Sequence, residues 1–173
     1  MEHLKYPIGK FSPQTDYSQA QIDEFIYNLK SLPENLNEIL KNISDTDYQK
    51  QYRDGSWTVK QLVHHIGESH LNAYIRIKLA LTEDNPTIKP YNENEWVKTE
   101  ENNLLDAAVS LKLIDAIHKK FVCLAQTLRK IELNRTFYHP QSKRNFKISD
   151  MLCLYSWHSL HHTAHIKIAL GSK

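Results

Sequence analysis

The chain has 173 residues, of which 40% are hydrophobic and 24% are charged, a composition typical of one globular domain with a sizeable core. Its formal net charge is +2 with the histidines neutral, and the absence of any basic block of five or more residues argues against nucleic acid as a partner. Only four glycines occur, which favours long helices over a turn-rich β protein. We therefore predict an all-α protein folded as a single domain, residues 1–173.

Membrane insertion and a disulfide are both disfavoured by the sequence. The first residues lack the apolar core of a signal peptide, and no apolar run reaches the ~20 residues of a membrane span. We therefore expect a cytoplasmic protein without a membrane partner. Cys123 and Cys153 are isolated in helical patterns and form no C-x-x-C motif. We therefore expect each of them to be buried and to act as a small hydrophobic residue without a disulfide.

The N-terminal part is predicted to be an arm followed by a helix. Residues 1–17 contain Tyr6-Pro7-Ile8-Gly9, which favours extended or turned backbone, and we expect this arm to lie on the body of the protein. Ser18-Gln19-Ala20-Gln21 resembles a capping box, and the helix that it opens is predicted to continue to Ile43. Pro33 is expected to kink this helix or divide it in two.

A second helix and a long connection follow the turn Arg53-Asp54-Gly55-Ser56. The capping box Thr58-Val59-Lys60-Gln61 opens a helix that runs to about Leu81, with Trp57 placed to pack at its start. The connection Thr82–Asn103 is too long for neighbouring antiparallel helices of a bundle. It predicts a crossover along the bundle or a functional lid.

The last third of the chain predicts two more helices. Apolar spacing indicates a third helix from about Asp106 to Ile131, and the polar segment Leu133–Lys147 is expected to be a loop. Ser149 is expected to cap a fourth helix that ends near Leu170. The chain is therefore predicted to fold as a four-helix bundle with a long crossover connection and an extended N-terminal arm.

The fourth helix concentrates histidine in its apolar pattern. On a helix, Met151, Leu154, His158, His161, His165 and Ile168 form one stripe, which we expect to be buried. Several imidazoles in one seam are costly to bury unless a metal or a polar network satisfies them. His161 and His165 are one turn apart and can share one ion.

A third ligand has to come from another helix. His65 shares a face with apolar residues of the second helix whereas His64 shares one with charged residues, so His65 is the preferred ligand. Three imidazoles leave an open position suited to zinc, with nickel, manganese and iron as alternatives.

The other histidines and two aromatic residues are not predicted to be metal ligands. For His158 a hydrogen bond to a ligand and a plain core position are equally good interpretations. His64 and His162 are expected to face solvent or to contact the ligands. Tyr138 is expected to line the mouth of a pocket or to be structural, and Trp57 to pack at the start of its helix in preference to stacking on a substrate. Three further histidines are expected on the surface or in loops: His70, His118 and His139.

The motif order resembles a known family. Trp57-Thr58-Val59-Lys60-Gln61-Leu62-Val63-His64-His65, Phe137-Tyr138-His139-Pro140 and Trp157-His158 with His161-x-x-x-His165 are similar to the DinB-like superfamily, and most to its YfiT-type branch, which includes bacillithiol S-transferase. This resemblance implies a bundle with a long crossover, a homodimer, and one divalent metal per chain, zinc or nickel, held by His65, His161 and His165. Where relatives have a third consecutive histidine, this chain has Leu160.

Three functions follow as hypotheses. The first is a metal-dependent hydrolase for a small molecule, in which the ion activates water. The second is transfer of a low-molecular-weight thiol to an electrophilic small molecule. The third is a protein that binds a metal or a small ligand without catalysis. The sequence identifies no separate general base.

Overall fold

The computed structural model describes residues 2–171. Its elements in chain order are α1 (Glu2–Lys5), α2 (Gln19–Ile39), α3 (Asp45–Tyr48), α4 (Val59–Thr82), α5 (Glu93–Trp96), α6 (Glu100–Leu104), α7 (Ala107–Thr127), α8 (Lys130–Leu133), β1 (Thr136–His139), β2 (Arg144–Lys147) and α9 (Ile148–Leu170). The four long helices α2, α4, α7 and α9 form a bundle, which confirms the predicted fold. In the part of the chain that the structure describes, no helix is long and apolar enough to span a membrane.

Each long helix has two neighbours in the bundle. Helices α2 and α4 both pack against α7 and α9, so α2 lies diagonal to α4, and α7 lies diagonal to α9. Helices α4 and α7 run parallel, because contacts progress in the same direction along both, from His64 with Ser110 to His70 with His118. Because α4 and α7 are parallel neighbours, the chain must run back along the bundle from the end of α4 before α7 can begin. Residues 83–106 make this predicted crossover.

Capping boxes begin the first two long helices as predicted. At the start of α4 the Thr58 hydroxyl accepts the Gln61 N–H at 3.2 Å, and the Gln61 side-chain oxygen accepts the Thr58 N–H at 3.0 Å. Ser18 and Gln21 make the same pair of hydrogen bonds at the start of α2. These contacts satisfy backbone donors that have no partner inside a helix.

Helix α2 differs from expectation at two points. It is not divided at Pro33, and it ends at Ile39 instead of Ile43. Proline removes one helical hydrogen bond, but Leu29, Leu32 and Leu36 are fully buried on this helix, and their packing holds it together on both sides of the proline.

The segment expected to be a loop before α9 is a β-hairpin. Strands β1 and β2 pair antiparallel with Phe137 opposite Phe146, and the two rings stack at 5.7 Å on the apolar core. The third long helix ends at Thr127, before the expected Ile131. Asp150, and not Ser149, caps α9 by accepting the Lys147 N–H at 2.9 Å.

Two clusters of buried apolar residues fill the bundle. The first apolar cluster lies beneath the hairpin and includes Leu29, Ile77, Phe121, Phe137 and Met151. The second apolar cluster lies toward the start of α4 and includes Leu36, Leu62, Ile66, Ile114 and Ile166. Between these clusters, α4, α7 and α9 contribute seven histidines. We call them the histidine layer: His65, His70, His118, His158, His161, His162 and His165.

The cysteines and the α9 stripe differ from expectation. Cys123 is exposed and Cys153 is half-buried, and both are free thiols. On α9, His161 and His165 are buried as predicted, but Leu154, His158 and Ile168 are only half-buried. Because α9 packs against both α2 and α4, its buried face is wider than one stripe.

Candidate metal centre

The histidine layer opens into a cavity at one side of the bundle. This cavity has a volume of about 510 Å³. His65 on α4 reaches it together with four histidines of α9, namely His158, His161, His162 and His165. The N-terminal arm, the turn before α4 and the crossover complete its walls with Tyr6, Arg53, Trp57, Tyr91 and other side chains.

Two groups of three histidines have ligand atoms close enough to hold one ion. The ligand atoms of His65, His158 and His162 lie within 4.8 Å of one another, and so do those of His161, His162 and His165. The predicted ligands His161 and His165 therefore belong to one group and the predicted ligand His65 to the other. His162 is shared by both groups, which places it at the centre of the cluster.

Aromatic and backbone contacts hold the α9 pair in place. The ring of His165 stacks on Tyr52 with centroids 3.8 Å apart, and its Nε2 lies 3.2 Å from the Lys5 carbonyl oxygen. The ring of His161 stacks on Trp157 at 4.2 Å. The expected N-terminal arm lies on α9, where the Trp157 indole N–H donates to the Gly9 carbonyl oxygen at 3.3 Å.

Burial keeps these imidazoles neutral. It lowers the pKa of His65 to about 4, and burial together with the neighbouring His165 lowers the pKa of His161 to about 4. The pKa of His165 is also lowered by burial, and that of His162 is held well below its ordinary value by burial and by the surrounding histidines. A neutral imidazole offers the lone pair that a metal requires.

The donor set fits a divalent metal ion. The Nδ1 atom of His161 is buried, and the described part of the chain offers it no hydrogen-bond partner. Such an unpartnered atom is costly unless a ligand satisfies it. Neutral nitrogen donors from two helices suit zinc and nickel better than magnesium or calcium, which prefer oxygen. Both distance-based groups include His162, whereas the ligand set that the resemblance implies, His65, His161 and His165, takes its members from both groups and leaves His162 out.

The other sequence-predicted site residues have mixed outcomes. Trp57 lines the cavity and contacts His65 with ring centroids 4.6 Å apart. His162 was expected to face solvent or to contact a ligand, and it is buried among the ligand candidates. His64 instead points to α7, where its Nδ1 lies 2.7 Å from the Ser110 hydroxyl. Tyr138 is held by backbone hydrogen bonds to residues 86 and 88 and does not line the cavity.

Two buried histidines were wrongly expected on the surface. His70 is 0% exposed and His118 is 1% exposed. Their positions carried a signal, since Ile66, His70 and Ala73 on α4 follow helical steps of four and three. Ile114, His118 and Phe121 follow the same steps on α7. The helical spacing that predicts buried histidines on α9 therefore predicts the burial of both.

Two charged residues of the cavity wall, Lys5 and Arg76, are not among the residues that the sequence indicates for the site. Lys5, Arg53 and Arg76 line the cavity, whereas Glu93 is the one carboxylate among the lining side chains of residues 2–171. Arg53 Nε is buried and has no hydrogen-bond partner within those residues. Because the imidazoles are neutral, the wall is net positive and favours an anionic group.

Comparison with known proteins identifies the family of this chain. The family model of the DinB superfamily matches residues 28–166. The chain belongs to the DinB superfamily. It is 41% identical over 164 residues to the Bacillus subtilis strain 168 protein named "Putative metal-dependent hydrolase YfiT", covering 95% of this chain and 92% of that one. A protein of Bacillus cereus strain B4264, also named "Putative metal-dependent hydrolase", is 43% identical over 166 residues, which are 96% of this chain and 95% of the relative.

Two solved structures share the fold of this chain. The structure of YfiT from Bacillus subtilis, described as an unusual four-helix bundle topology, has a TM-score of 0.93 at 38% identity and covers 99% of both chains. A mycothiol-dependent maleylpyruvate isomerase has a TM-score of 0.66 at 15% identity, with 84% of this chain and 60% of that chain covered. The second likeness shows the fold alone.

Proposed function

We propose that this DinB protein is a metal-dependent hydrolase for small acidic molecules, with one divalent ion, zinc or nickel, held by His65, His161 and His165. The observation that carries this proposal is the convergence of buried, neutral histidines from α4 and α9 on one cavity with a cationic wall. The names of the relatives from Bacillus subtilis and Bacillus cereus support the same reaction class.

Different residues of the chain have different roles in such a site. A bound divalent ion supplies a Lewis acid, which lowers the pKa of a coordinated water or thiol and polarises a carbonyl oxygen. Lys5, Arg53 and Arg76 bind and orient an anionic substrate from the cavity wall. Trp57 and Trp157 pack against His65 and His161 and exclude water from the ligand side.

Thiol transfer is the second candidate, and the distribution of carboxylates favours it. Hydrolytic zinc sites of the H-E-x-x-H type use a glutamate beside the ion as general base. Here Glu93, on the crossover, is the single carboxylate among the described residues of the wall. A thiol is deprotonated by coordination itself and needs no such base.

Metal content of the purified protein tests the ligand set. We expect about one ion per chain in the wild type and loss of the ion in His65→Ala, His161→Ala and His165→Ala. His64→Ala is the matched control, because it removes a buried imidazole of the same helix that faces Ser110. His162→Ala decides between the proposed set and the two distance-based groups. If His162→Ala keeps the ion, the proposed ligand set is supported. If His162→Ala loses the ion while His65→Ala or His161→Ala keeps it, the proposed ligand set is overturned.

Activity with and without a thiol separates the two reactions. We expect the zinc-loaded protein to cleave esters or amides that carry a carboxylate, and Arg76→Gln to raise KM for these substrates more than for neutral analogues. Activity only when bacillithiol or mycothiol is added would establish thiol transfer instead. A metal-loaded protein that turns over neither substrate class would be a binding protein.

A further inference from the structure

A line of histidines runs from the cavity through the middle of the bundle. His65 Nε2 lies 3.1 Å from His158 Nε2, and His158 Nδ1 lies 3.0 Å from His70 Nε2. His70 Nδ1 lies 2.9 Å from His118 Nε2, and His118 Nδ1 ends the line at 2.6 Å from the Leu29 carbonyl oxygen. We call His118, His70 and His158 the histidine relay. It joins α2, α7 and α4 to α9.

The carbonyl at the end of the relay fixes where its hydrogens lie. A carbonyl oxygen only accepts, so His118 must carry its hydrogen on Nδ1. A neutral imidazole has one N–H, which leaves His118 Nε2 bare and able only to accept the N–H of His70 Nδ1. By the same step, His70 Nε2 accepts the N–H of His158 Nδ1.

The surroundings of the relay keep its members neutral. His70 and His118 are almost completely buried between the two apolar clusters. Burial lowers the pKa of His118 to about 4. Within residues 2–171 the hydrogen-bond partners of these rings are imidazoles and a backbone carbonyl, and the nearby Asp115 carboxylate raises the pKa of His118 by less than burial lowers it.

We propose that His70 and His118 are positioning residues that hold His158 as its Nδ1–H tautomer, so that His158 presents a bare acceptor nitrogen, Nε2, to His65. In the metal-free protein, His65 therefore carries its hydrogen on Nε2 and donates it to His158 Nε2. This hydrogen bond orients the His65 ring. Ligand histidines are commonly oriented through hydrogen bonds in this way. This role of the relay rests on the proposed function, because it assigns His65 to the metal.

Tautomers in the metal-free protein test the relay directly. Long-range proton–nitrogen NMR of protein labelled with 15N-histidine reports which ring nitrogen carries the hydrogen. We expect the hydrogen on Nδ1 in His118, His70 and His158, and on Nε2 in His65. A hydrogen on Nε2 of His158 in the wild type would overturn the proposal, whatever the behaviour of any variant.

A substitution at the far end of the relay tests its direction. In His118→Phe the Nδ1 atom of His70 loses its acceptor, so His70 can move its hydrogen to Nε2 and donate to His158 Nδ1. We expect His158 to shift wholly or partly to the Nε2–H tautomer, and zinc affinity, measured by chelator competition, to fall about 10–100-fold. His64→Phe removes another buried imidazole of α4 and should leave the His158 tautomer unchanged. An unshifted His158 in folded His118→Phe contradicts the relay.

The two readouts separate the relay from the metal site. The expected tautomers in a wild type that takes up no zinc would uphold the relay and reject the proposed function. Zinc bound by a wild type whose His158 carries its hydrogen on Nε2 would reject the relay and uphold the metal site.

Discussion

In the two apolar clusters, side chains such as Leu36 and Phe137 are fully buried and need no polar partner. In the histidine layer between them, each buried imidazole brings one donor and one acceptor, and both need partners. The clusters therefore gain stability from burial alone, whereas the layer gains little unless its hydrogen bonds are complete. We infer that the clusters hold the bundle together and that the layer serves the metal site at some cost in stability.

The largest expected effect comes from a cavity in an apolar cluster. Phe137→Ala should lower the free energy of unfolding by about 3–5 kcal/mol, because it removes a fully buried ring that stacks on Phe146. Urea unfolding measures this loss, and the folded variant should still bind one zinc ion per chain. Ile131→Ala is the control, since Ile131 is 72% exposed and should change stability by less than about 0.5 kcal/mol.

Removal of the ion should weaken the bundle without unfolding it. Free zinc at 100 times its dissociation constant stabilises the folded state by about 2.7 kcal/mol, so chelation should lower the melting temperature while circular dichroism keeps its helical signal. The reason is that both apolar clusters consist of buried apolar side chains, which need no ion to satisfy them. Complete unfolding of the chelated protein at room temperature would assign the metal a structural role. It would refute the inference that the apolar clusters alone hold the bundle together.

Acid should destabilise the layer through His118. The pKa of this imidazole falls from an ordinary value of 6.5 to about 4 on folding, because burial disfavours its charged form. Between these values the unfolded chain binds a proton that the folded chain does not, so stability falls as the pH is lowered. Lowering the pH from 7.5 to 5 should cost about 2 kcal/mol at this position. Urea unfolding of metal-free wild type and His118→Phe at both pH values measures it, and an equal loss in the two proteins would contradict it.

The smallest effect is expected at the start of α4, outside both regions. Thr58→Ala removes the hydroxyl that accepts the Gln61 N–H and should cost about 1 kcal/mol. Zinc affinity should stay within twofold of the wild type, because the cap lies at the helix end and does not touch the histidines. Thr58→Ser keeps the hydroxyl and should restore most of the lost stability. A Thr58→Ala variant that loses its zinc would show that the site depends on the end of α4.

Local patterns in the sequence were enough for most of the fold. Residues 18–21 and 58–61 predicted two helix starts, because a capping box satisfies its own backbone within four residues. The crossover was predicted from its length, and the burial of His161 and His165 from helical spacing. The hairpin was missed because Phe137 and Phe146 are buried only by pairing with each other and by packing on the first apolar cluster.

The sequence by itself determined the helices, the bundle and the presence of a histidine-rich seam, since each of these follows from spacing along one segment. Only the tertiary structure decided that His70 of α4 meets His118 of α7, and that Lys5, Arg53 and Arg76 from three distant segments line one cavity. The physical reason is that periodicity defines which face of a helix is buried but not which neighbour it faces. That choice depends on the packing of α4 and α9 against α7 and α2, which the crossover and the hairpin connect.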